Sequence, residues 1–115
     1  MMENRAVYLT ELQKMSFGTC PMPKAGEGEV VVKIEAVGIC GSDLHYYSHG
    51  KIGDFVVQFP FILGHECAGI VTEVGPGVQT LHVGERVALE PGIPCGHCEF
   101  CLSGKYNLCP DVRFF

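Results

Sequence analysis

Glu29-Val30-Val31-Val32-Lys33-Ile34-Glu35-Ala36-Val37 is the strongest strand signal in the chain. A β-branched run gives way to apolar residues at every second position, Val32, Ile34 and Ala36, the period of an extended backbone. Gly38-Ile39-Cys40-Gly41 breaks the strand, and Ser42-Asp43 reads as the N-cap of a short helix running through His49. Upstream, Arg5–Thr10 reads as a short strand with Val7 and Leu9 on one face. Met15–Thr19 is its hairpin partner, and Cys20–Gly28 is a loop with two prolines. Downstream, Gly50–Pro60 reads as a loop with apolar members. Gly64–Val74 is a strand ended by Gly75-Pro76-Gly77, and Glu85–Leu89 is another.

Pro91–Pro110 has four cysteines, Gly92, Gly96, Gly104 and no sustained periodicity. Something other than a hydrophobic face must organise it. Short strands at near-regular spacing predict a mostly β chain, a small, partly open barrel with an irregular lobe over 90–110.

The 115 residues suit one domain and cannot hold a doubly wound nucleotide-binding domain beside a substrate domain. A hydrophobic fraction of 47% allows a core, and 15 glycines with 7 prolines make the chain turn-rich. The net charge is −5, with no Lys/Arg run. That disfavours nucleic acid and anionic membrane surfaces as partners, since both need clustered positive charge. No stretch approaches the roughly 18–20 apolar residues of a membrane span. Met1–Arg5 does not begin a secretory leader, and the cysteine count of seven is odd. Together these predict a cytoplasmic chain using thiolate chemistry rather than a disulfide framework.

Cys95, Cys98 and Cys101 are separated by two residues each, and Cys109 follows after seven. Two-residue gaps let consecutive cysteines turn onto one tetrahedral zinc at about 2.3 Å. Four thiolates close the coordination sphere, so this zinc is structural. Buried free thiols, disulfides and an iron–sulfur cluster are the alternatives. His97 lies between ligands and is expected to be exposed.

Two further segments carry a resemblance. Gly64-His65-Glu66-Cys67-Ala68-Gly69, with Gly75 six on and Val78 three after that, is similar to the zinc signature of the medium-chain alcohol dehydrogenases. Gly38-Ile39-Cys40-Gly41-Ser42-Asp43-Leu44-His45 resembles the same family's first zinc-ligand segment, and the four-cysteine spacing resembles its zinc lobe. The resemblance runs from Val7 to Phe115. Within the family the chain looks most like the sorbitol and polyol dehydrogenases, through His45-Tyr46-Tyr47, Gly50–Phe55, Glu90-Pro91-Gly92 and Tyr106–Pro110.

The resemblance implies a GroES-like N-terminal catalytic domain and an NAD- or NADP-linked oxidation of a secondary alcohol of a polyol to a ketone. The small-molecule substrate would be sorbitol- or xylitol-like. It implies Cys40 and His65 as catalytic-zinc ligands, with Glu66 binding directly or through the zinc's water. Asp43 would hold the far nitrogen of His65. Ser42 would take the substrate's proton, and His45 would pass it to solvent. Tyr46, Phe55 and Phe114 would line the substrate pocket. Each has a plainer alternative: helix capping for Ser42 and Asp43, a solvent-facing helical residue for His45, core packing for Phe55 and Phe114.

The chain departs from the family pattern at its end. Gly75-Pro76-Gly77 is followed by Thr80 where a dinucleotide fingerprint needs a third small residue, and no helix follows. The reading is an incomplete GroES-like domain over 1–115 with no Rossmann cofactor domain and no cofactor-binding residues. Alone it is expected to be inactive, and the whole enzyme is expected to be a homo-oligomer. Other zinc dehydrogenases, acting on threonine, butanediol or simple alcohols, and a zinc-stabilised protein-binding module are the competing readings.

Overall fold

The computed structural model describes residues 3–114. Met1, Met2 and Phe115 lie outside them, and with them part of the leader reading and the end of the family resemblance. Strand β1 (Arg5–Glu11) turns through Leu12-Gln13 into β2 (Lys14–Thr19), and Arg5 faces Thr19 while Leu9 faces Met15. Strand β3 (Val30–Gly38) leads into helix α1 (Gly41–His49). A tight hairpin of β4 (Lys51–Ile52) and β5 (Phe55–Val56) follows, then β6 (Phe61–Ile62), which adds to the free edge of β1. Strand β7 (Glu66–Val74) lies between β3 and β8 (Arg86–Ala88). The lobe contains β9 (Gly92–Ile93), helix α2 (Glu99–Leu102), a single 3₁₀ turn at Tyr106–Leu108, and β10 (Arg113–Phe114) paired with β9.

The result is mostly β, as expected. Four antiparallel sheets, β2-β1-β6, β3-β7-β8, β4-β5 and β9-β10, form among the described residues, and none closes into a barrel. Leu9 and Val71 are fully buried, with Val57 and Cys109 nearly so. They come from four different parts of the chain, Cys109 from the cysteine lobe.

Two expectations are corrected. Gly50–Pro60 is not simply a loop, because Lys51 pairs with Val56 and Ile52 with Phe55. Two-residue strands are too short to show a period. The helix N-cap is Cys40, not Ser42-Asp43. Cys40 has extended backbone angles (φ −97°, ψ 155°), while Asp43 sits at the third helical position and its Oδ2 accepts the Cys40 N–H at 3.0 Å. The acidic residue caps backward, as the second half of a capping box does. β3 forms where its alternation places a strand. Ladder irregularities between Val31 and Val32 and between Ile34 and Ala36 shift the register. Each inserted residue reverses which side faces in, and Ile34 and Val37 remain exposed.

Candidate metal centres

The β3–β7 register builds the first centre. Gly38, the last residue of β3, pairs with Glu66, the first of β7. Cys40 lies two residues beyond that pair and His65 one residue before it, so the antiparallel ladder brings both back to the same end. Donor atoms of Cys40, His65 and Glu66 all lie within 4.8 Å of one another. Gly38 leaves room for the carboxylate, because a Cβ there would stand 3.2 Å from Glu66 Oε2. Gly64 has φ +102°, a backbone that favours glycine, and this turn delivers His65.

Asp43 ties the two segments together. It is 8% exposed. Its Oδ2 accepts from Cys40, and its Oδ1 accepts the Gly64 N–H at 3.3 Å and faces His65 Nδ1 at 3.5 Å. With Nδ1 turned to a carboxylate, His65 keeps Nε2 for a ligand. Cys40 and His65 are half-buried and Glu66 is exposed, so the centre is open on one side. A thiol, an imidazole and a carboxylate are the donor types of an open zinc site. Ser42 supports that fit, since among the described residues its Oγ is enclosed and has no hydrogen-bond partner.

The aromatic residues divide. Tyr46 meets Phe55 edge-on at 5.9 Å between ring centroids, and also meets Phe61 at 5.7 Å. Phe114 lies on the β9–β10 ladder and is 70% exposed. Beside Glu66 is a shallow depression of about 340 Å³ whose walls include Ala36, Gly38, Cys67 and Leu89. Tyr46, Phe55 and Phe114 are not among its walls. Sequence reasoning placed Gly38 in the ligand segment without its steric role beside Glu66, and missed Phe61. The signal for Phe61 was weak, a two-residue strand after Phe59-Pro60.

The second centre is the lobe. The Sγ atoms of Cys95, Cys98, Cys101 and Cys109 lie within 4.8 Å of one another. Cys98 and Cys101 are 3.4 Å apart, and Cys95 and Cys101 are 3.9 Å apart. Tetrahedral zinc with bonds of about 2.3 Å has sulfur–sulfur edges of about 3.8 Å, so the cluster fits that ion. The backbone turns inward around it. His97 and Cys98 donate N–H to Cys95 Sγ, Cys101 donates to Cys98 Sγ, and Cys95 donates to Cys109 Sγ. The His97 donor above all pulls the Cys95 thiol down to about 6, while burial pushes Cys101 up to about 12. A divalent cation lets all four ionise together, because a coordinating thiol is deprotonated outright. His97 itself is exposed.

The chain matches the alcohol dehydrogenase GroES-like domain over residues 26–115. It is 54% identical to the sorbitol dehydrogenase of Bacillus subtilis over 110 residues, 96% of this chain and 31% of that protein. It is 48% identical to D-xylulose reductase A of Aspergillus oryzae over 113 residues, 97% of this chain and 32% of that protein. The chain thus spans about a third of the length of the curated relatives it matches. Its structure superposes on an Escherichia coli alcohol dehydrogenase in complex with NADH with a TM-score of 0.82 and 35% identity. That match covers 98% of this chain and 32% of the other.

Proposed function

The chain belongs to the family of alcohol dehydrogenase GroES-like domains, and from that membership we propose that it forms the metal-bearing part of a zinc polyol dehydrogenase. The enzyme oxidises a secondary alcohol of a sorbitol- or xylitol-like substrate to a ketone with NAD or NADP, and acts as a homo-oligomer. The observation that carries the reading is the convergence of Cys40, His65 and Glu66 at the open end of the β3–β7 ladder, with Asp43 behind His65. The names of the relatives support a polyol substrate.

Zinc bound at this centre would supply the Lewis acidity that draws an alcohol's pKa toward neutrality, and a nicotinamide the hydride acceptor. Cys40 Sγ and His65 Nε2 would hold the ion. The exposed Glu66 carboxylate would hold it directly or through water. Asp43 fixes the His65 ring and its tautomer. Ser42 Oγ, enclosed and without a hydrogen-bond partner among the described residues, would be placed to take a substrate hydroxyl's proton and pass its own on, with His45 as the exit to solvent. Tyr46 and Phe55, in edge-on contact, would form an aromatic wall for the carbon chain; Phe114 is assigned to the pocket by the family resemblance alone. The four-cysteine lobe is structural, because four thiolates leave no position for a substrate. These 115 residues contain no dinucleotide fingerprint, so on their own they do not reduce NAD.

Cobalt(II) substitution tests this. Xylitol should perturb the visible bands of the Cys40 centre and leave the four-thiolate bands unchanged. Bands at the Cys40 centre that xylitol and sorbitol leave untouched, while a simple alcohol shifts them, would overturn the polyol assignment.

A further inference from the structure

Helix α1 presents two histidines that neither metal centre uses. His45 and His49 are both exposed, and their ring centroids stand 4.5 Å apart with planes inclined by 27°. Residues four apart share a helix face, so the imidazoles lie side by side over solvent. Among the described residues neither ring has a hydrogen-bond partner. His49 is the last residue of the helix, where the terminal carbonyls favour a cation. That turn is anchored, since Gly50 donates its N–H to Tyr46 O at 2.8 Å and the Tyr47 hydroxyl donates to Gln13 O at 3.0 Å. The pair therefore sits on a fixed backbone.

We propose that His45 and His49 form a further, solvent-facing metal site, a bidentate imidazole chelate for borderline divalent ions. Imidazole suits Cu²⁺, Ni²⁺ and Zn²⁺, with Cu²⁺ tightest. One ion at about 2.0–2.1 Å from an in-plane nitrogen of each ring needs those two nitrogens to converge. The spacing of four residues already holds the ring centroids 4.5 Å apart over one face, so turning the rings out of their stack aims one nitrogen of each at a shared ion, and water fills the remaining positions. With two neutral ligands, the site binds far more weakly than the four-thiolate lobe. One consequence rests on the proposed function: an ion on the pair occupies His45 and removes it from the path of the proton. Excess divalent metal would then slow the enzyme without touching its resident zinc.

The test is titration of the tag-free, zinc-loaded chain with Ni²⁺ by calorimetry, followed by imidazole proton NMR. The paramagnetic ion should broaden the His45 and His49 ring signals together and spare those of His65, His82 and His97. His49→Gln should weaken Ni²⁺ binding about tenfold or more, the loss expected when a tethered second ligand is removed. His82→Gln and His97→Gln should leave it unchanged. Circular dichroism checks that α1 persists, and His49→Asn repeats the test with a shorter side chain. If His49→Gln and His49→Asn bind Ni²⁺ as the unmodified chain does, or if broadening centres on His97, the site is refuted. Binding is read without alcohol or nicotinamide, so this failure is separate from failure of the dehydrogenase reading.

Discussion

Asp43 shows how much one buried carboxylate can organise. It accepts backbone N–H groups from Cys40 and Gly64 and faces His65, so it joins the segment after β3 to the segment before β7. Replacing it with alanine strands both donors, at about 1–3 kcal/mol for each left buried without a partner. The same change frees the His65 ring, and loss of such an orienting partner typically weakens metal affinity about 10–100-fold. Asp43→Ala should therefore lower the melting temperature and release the open centre's zinc to a competing chelator while the lobe keeps its own. An unchanged chelator titration would show that the carboxylate acts only as a helix cap. This residue was legible from the sequence as a helix cap or a partner of His65. The structure shows it as cap and as neighbour of His65, because a carboxylate has two oxygens and the chain presents donors from two directions.

Long elements were legible and short ones were not. The strand signals at Glu29–Val37 and Gly64–Val74 became β3 and β7, with ends shifted by a residue or two. The β4–β5 hairpin and β6 are two residues per strand, and no period can be read from two residues. The lobe's spacing revealed its cysteines but not α2 or the β9–β10 ladder, because sulfur positions rather than apolar pattern shape it. The convergence of Cys40 with His65 was legible only through the family resemblance. Its physical cause is the pairing of Gly38 with Glu66, a long-range register that local sequence does not encode. Leu9 in β1 and Val71 in β7 are both 0% exposed. Leu9→Ala should cost about 2–5 kcal/mol. Phe17→Ala, on the same hairpin at 89% exposure, should stay within about 0.5 kcal/mol. Urea titration of the two variants checks the contrast, and equal losses would mean that the hairpin packs otherwise in solution.

As a whole the molecule is flat. Its extents are 42 × 41 × 20 Å, and its radius of gyration is 15.9 Å, against about 13 Å for a compact chain of this length. A thin body buries little. Large side chains such as Ile39, Leu102 and Phe114 stay exposed, and a small core must be supplemented by other constraints. On the proposed reading the four-cysteine lobe would supply one, since structural metal binding is coupled to folding. Removing zinc with a strong chelator should lower the melting temperature and erase the circular dichroism signal of the lobe's turns. If both stay unchanged, the lobe folds without metal.

The central claim is that two metal centres of different kind, one open and one closed, coexist in this chain. Zinc per chain, measured by elemental analysis on the tag-free protein and on Cys40→Ser, tests it most directly. About two zinc ions are expected in the unmodified chain and about one in the variant, the survivor held by the four cysteines. A single zinc in both proteins would contradict it, because Cys40, His65 and Glu66 would then converge without forming a site.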